Sequence, residues 1–62
     1  MKVREEINKL NREGTQALIR AAIKKYPAGF DPPMLEESRD SMIEYLFDLD
    51  NSILEPLYLA NS

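Results

Sequence analysis

Apolar residues in this chain recur mostly every three or four positions, the spacing of one face of a helix, and no segment alternates cleanly as a strand would. Val3, Ile7, Leu10, Ala17, Leu18, Ala21 and Ala22 predict a first helix over about 2–26. Gly14 interrupts this pattern, and glycine costs about 1 kcal/mol against alanine inside a helix. Thr15 is then a candidate N-cap for a second helix. Two readings stand: one long helix with a weak point at Gly14, or a break there. No proline enforces the break, so the long helix is the favoured reading. Lys24 and Lys25 suit the negative end of the helix dipole, and Tyr26-Pro27-Ala28-Gly29-Phe30 carries strong turn chemistry. The loop covers residues 27–32, with Phe30 as a plug between the flanking helices.

Asp31-Pro32-Pro33 reads as a helix start. A second helix is expected over about 33–49, with the stripe Leu35, Met42, Leu46 and Leu49 widened by Ile43, Tyr45 and Phe47 and crossed by Ser38. Asp50-Asn51-Ser52 is a break signal. A short apolar C-terminal segment, residues 52–60, follows with Ile53, Leu54, Leu57, Tyr58 and Leu59; Pro56 is compatible with a first turn there but not with a long helix. The expected fold is all-α: a helical hairpin with a short third C-terminal helical element, forming one small helical domain over 1–62.

Size sharpens this picture. A chain of 62 residues buries only about 60% of its unfolded surface, and it has no cysteine to staple it. A two-helix hairpin covers one stripe per helix. Ile19, Ile23 and Tyr26 on the first helix, and Ile43, Tyr45 and Phe47 on the second, lie outside those stripes. This surplus is covered by the C-terminal segment, by a second copy in a dimeric helical bundle, or by another protein. A homodimer is the commonest such assembly.

Charge divides by position. Residues 1–26 hold seven basic and three acidic side chains, a balance of +4; residues 27–62 hold Arg39 against eight acids, a balance of −7. Glu36, Asp40, Glu44 and Asp48 stand four apart and, on one helix, form a continuous acidic ridge. Such a ridge is a solvated face, a partner for the basic first helix, or a contact for a basic surface elsewhere. Charges one helical turn apart lie about 6 Å from each other along the axis, of the same order as phosphate spacing along a nucleic-acid strand. The ridge therefore suits the basic groove of a nucleic-acid enzyme. Direct nucleic-acid binding would rest instead on Arg20, Lys24 and Lys25, against a net charge of −3.

Catalytic chemistry is hard to place. Without histidine or cysteine, the usual general base, thiol nucleophile and zinc ligands are missing. Exposed carboxylate pairs lack the environments that split their roles. Asp48-Leu49-Asp50-Asn51-Ser52 with Glu55 echoes a calcium loop but lacks its glycine and twelve-residue spacing. No phosphate-binding glycine loop occurs, so no cofactor and no metal are expected. The stretch with Asp31-Pro32, Leu35, Ser38, Ile43 and Tyr45 resembles the second helix of short bacterial phosphatase hairpins that act on phosphorylated response regulators. Their motif, Ser-Gln-Glu-Leu-Asp, corresponds here to Ser38-Arg39-Asp40-Ser41-Met42, so the resemblance implies the helix without the final aspartate that serves dephosphorylation.

No apolar run approaches the ~20 residues that span a bilayer, and no signal peptide is visible, so the expected location is cytoplasmic. The expectation is a non-enzymatic regulator or inhibitor that binds another protein, of the kind typical of bacteria and phages. Its expected contacts are Glu36, Asp40, Glu44 and Asp48 for charge, and Tyr45, Phe47, Leu57 and Tyr58 as apolar anchors. The alternatives are a dimeric structural or adaptor module and a weak helix-turn-helix-like DNA-binding regulator.

Overall fold

In the computed structural model, which describes residues 2–61, the chain folds into four α-helices and one short 3₁₀ helix. The helices are α1 (Val3–Asn8), α2 (Arg12–Lys25), α3 (Arg39–Phe47) and α4 (Asn51–Asn61), with the 3₁₀ helix at Pro32–Glu36. The Cα radius of gyration is 10.3 Å, close to the ~10.5 Å of a folded chain this long.

The long first helix does not form. The chain breaks at residues 9–11, and Gly14 lies inside α2. The cap is Asn11, whose side-chain oxygen accepts from the Gly14 N–H at 2.8 Å. That bond satisfies one of the donors a helix start leaves open. Thr15 is not a cap. It is fully buried, and its hydroxyl donates to the Asn11 carbonyl at 2.8 Å.

The second helix also divides. Pro32 and Pro33 supply no backbone N–H, and the turn they open is held by short-range bonds, from Met34 N–H to the Asp31 carbonyl and from Glu37 N–H to the Met34 carbonyl. Ser38 then caps α3 by accepting from the Ser41 N–H at 3.2 Å. α4 is longer than the expected third element and takes Pro56 into its interior. Proline there removes the bond to the Ser52 carbonyl, and Ser52 is exposed to water.

α2 packs against α3, α4 and the 3₁₀ helix, and α1 lies against α4 and α3. One core results: Val3 and Ile7 from α1; Leu18, Ile19 and Ala22 from α2; Met42, Ile43 and Leu46 from α3; Leu54 and Leu57 from α4. Phe30 plugs the loop side at 5% exposure, as the sequence leads one to expect. The surplus apolar surface is largely consumed here: Ile19 and Ile43 are buried, and Ile23, Tyr45 and Phe47 pack half-buried on the core. Four short helices offer more mutual faces than two long ones.

Among the described residues, the complementary charge halves are not joined by ion pairs. The ion pairs among the described residues are local: Lys2–Glu5 at 4.0 Å, Lys9–Glu6 at 3.8 Å and Arg39–Asp40 at 3.1 Å. Arginines instead reach backbone carbonyls. Arg4 of α1 donates to the carbonyls of Phe47 (2.7 Å) and Leu49 (2.8 Å) and to Asn51 Oδ1 (3.0 Å), with its guanidinium 5.2 Å from the Phe47 ring centre. Arg39 of α3 donates to the carbonyls of Asn8 and Leu10. Each of α1 and α3 thus closes the other's C-terminal end. α3 has no basic residue in its own last turn, so Arg4 supplies the positive charge its dipole favours. Arg12 and Gln16 of α2 hold the far end of the 3₁₀ helix through the Leu35 and Glu37 carbonyls.

Candidate functional site

The outer face of α3 carries the strongest concentration of like charge. Ser38 fixes where the helix begins, and Asp40 and Glu44 follow one turn apart, with Asp48 at the C-cap. All three are exposed. Asp40, in the first turn, suits the helix dipole; Glu44 and Asp48, near the other end, oppose it. Asp40 pairs with Arg39, its side chain still 89% exposed. No ion pair among the described residues involves Glu44 or Asp48.

Glu36 does not belong to this stripe. It lies in the 3₁₀ helix, before the Glu37–Ser38 break, so the ridge of four on a single helix is interrupted. Glu37 takes its place. The Tyr45 hydroxyl donates to Glu37 Oε1 at 3.0 Å and ties the residue back along α3. This bond, reinforced by the charge of Glu37, slight burial and the more distant charge of Glu44, raises the Tyr45 pKa above the ordinary phenol value. The stripe therefore runs Glu37, Asp40, Glu44, Asp48. The Ser38 cap was the available signal for this shift: a serine in the path of the apolar stripe, followed by Ser41.

The four expected apolar anchors have separate places. Tyr45 is half-buried beside the acidic stripe, and Phe47 is half-buried beneath Arg4. Leu57 is a core residue at 3% exposure, not the exposed anchor that the sequence leads one to expect. α4 carries Pro56 in its interior, and Leu57 shares its buried side with Leu54. Tyr58 is half-buried and lines a small cleft with Leu10, Gly14, Ala17, Leu18 and Asn61. The large apolar side chain that is exposed among the described residues is its neighbour Leu59, at 52%.

Met42, which stands where the phosphatase hairpins carry their final aspartate, is fully buried. Among the described residues no group of three or more His, Cys, Asp or Glu side chains is arranged to hold a metal ion. None of the helices is long and apolar enough to cross a membrane, among the same residues. Arg20, Lys24 and Lys25 are exposed on α2, and Lys25 Nζ lies 5.7 Å from the Tyr26 ring centre. No family model, no curated protein and no solved structure matches this chain.

Proposed function

We propose that this chain is a non-enzymatic, cytoplasmic regulator or inhibitor that acts by binding another protein through the acidic face of α3. The observation that carries the reading is the exposed stripe Glu37, Asp40, Glu44 and Asp48, of which only Asp40 has an ion pair with a basic side chain among the described residues. Like charges at one-turn spacing weaken a helix by a few tenths of a kcal/mol per pair. That cost is offset when a basic surface meets them. Asp40 to Asp48 spans about 12 Å of helix axis, a short rod of negative charge that suits a groove built for nucleic acid. Bound there, the protein would exclude nucleic acid from its enzyme, and the opposed charges would speed encounter.

The test is capture of binding proteins by the native chain beside the Asp40→Lys/Glu44→Lys variant. The native chain is expected to retain a basic nucleic-acid-binding protein, and charge reversal to lower its affinity ~10-fold or more. Retention should also weaken as salt is raised. The same partner bound equally well by a folded double variant would remove the acidic face from the account. Self-association remains part of this reading, carried by the apolar surface that the monomer leaves exposed on α4.

A further inference from the structure

We infer that the outer face of α4 is a self-association surface, and that it pairs with the same face of a second copy in parallel orientation. The inference gives the homodimer of the proposed function a location and does not depend on the acidic stripe.

Composition sets α4 apart. In a chain with 31% charged residues, its eleven residues Asn51–Asn61 contain one charge, Glu55. At about 100° per residue, Leu54, Leu57 and Tyr58 face the core, and Leu59 stands at the middle of the outer face. Leu59 is 52% exposed. Ser52, Pro56 and Ala60 around it are exposed as well. Small side chains beside one large apolar one allow two helices to approach closely and each leucine to be covered.

The flanks choose the partner. On one side of α4, a groove against α2 has Ala21, Leu57 and Ala60 as its floor and Lys24 and Lys25 as its rim. Glu55 lies on the opposite flank, in a hollow with Asn51, Ser52, Pro56 and Leu59. Neither the Lys24 nor the Glu55 side chain has an ion pair or hydrogen bond among the described residues. A two-fold axis running along the helices exchanges left and right flanks, so the Glu55 flank of each copy meets the Lys24 flank of the other. An antiparallel pairing would set lysine against lysine and glutamate against glutamate. The same surface on both copies, complementary to itself, is what a two-fold dimer requires. A helix about 16 Å long offers less than the ~800 Å² per partner of a standard interface. The dimer is therefore weak, with a dissociation constant in roughly the micromolar range or above.

The experiment is sedimentation velocity of the whole chain from ~10 μM to ~1 mM, with Leu59→Ser, Lys24→Glu, Glu55→Lys and the Lys24→Glu/Glu55→Lys double variant alongside. All three positions are exposed, and far-UV circular dichroism checks that each variant folds. The native chain should shift with concentration toward twice its 7.2 kDa mass. Leu59→Ser should weaken dimerisation about 10-fold. Each charge reversal should weaken it by about 3- to 5-fold, and the double variant should restore it. A native chain that stays monomeric to ~1 mM overturns the inference, as does a dimer indifferent to Leu59→Ser or not restored by the charge swap. Capture by the α3 stripe, measured separately with the Asp40/Glu44 variant, is untouched by these changes, so failure of one reading leaves the other standing.

Discussion

Replacing Arg4 by alanine should be among the most destabilising single surface changes in this protein. Arg4 makes two hydrogen bonds to half-buried carbonyls, those of Phe47 and Leu49, at 2.7 and 2.8 Å. A hydrogen bond to a charged group contributes about 1.5–3 kcal/mol when buried. Partial exposure puts each of these nearer ~1 kcal/mol. The bond to Asn51 is exposed and adds little. Stacking on Phe47 at 5.2 Å contributes ~0.5 kcal/mol, and the charge at the C-terminal end of α3 a similar amount. The expected loss is about 2–3 kcal/mol, a large share of the ~3–5 kcal/mol available to a core this small. Urea denaturation followed by far-UV circular dichroism measures it directly, and the melting temperature should fall by about 10–20 °C. Arg4→Lys keeps the charge but not the planar fork, and should recover less than half of the loss. The acceptors are neutral carbonyls, so the gap between native and alanine forms should persist at ~1 M NaCl, where exposed ion pairs are screened. A loss below ~0.5 kcal/mol, or one that vanishes in salt, would show that these carbonyl bonds do not hold α1 in place.

Two further outcomes are expected. The neutral Tyr45 phenol donates to Glu37 and its pKa is raised on folding. Its contribution to stability is therefore fully present below the unfolded phenol value near 10 and is lost as pH rises through the folded value. A Tyr45→Phe variant should show a shallower loss of stability above about pH 10, and ultraviolet titration should find a tyrosine ionising above the ordinary phenol value that this variant removes. Gly14→Ala should stabilise α2 by about 0.5 kcal/mol: helix propensity favours alanine, and the added methyl meets Leu10 Cδ2 at 3.2 Å. Leu10 is half-buried and borders the cleft beside Tyr58, so it has room to yield; destabilisation on thermal melting would show that it does not.

The all-helical character of the fold was legible because the apolar spacing is local and repeats throughout. The loop expected over 27–32 was legible for the same reason to within a residue, since proline and glycine act on the backbone where they stand. The two breaks inside the expected helices were not. Asn11 and Ser38 each offer a side-chain oxygen to a backbone N–H three residues on, but asparagine and serine also occur within helices. What favours the break is tertiary: Arg39 takes the carbonyls before Asn11, and Arg12 takes that of Glu37, just before Ser38. Both arginines are distant in sequence from the ends they close. Missing the second break misplaced Glu36 in the stripe and hid Glu37. The burial of Leu57 was lost to a different cause: Pro56 reads as compatible with a first turn only, whereas α4 carries it in its interior and sets Leu57 in the core.

The reciprocal arginine clasp also orders events in time. Six residues are too few for an isolated helix to persist in water, so α1 depends on the carbonyls and core it docks against. Those carbonyls belong to residues 47 and 49, more than forty positions away, and closing so long a loop precedes any return from the contact. During synthesis α1 must therefore wait, without its docking site, until residues 47–49 have followed it. The contacts that join α2 to α3 close a shorter stretch of chain, so they are expected to form before α1 docks.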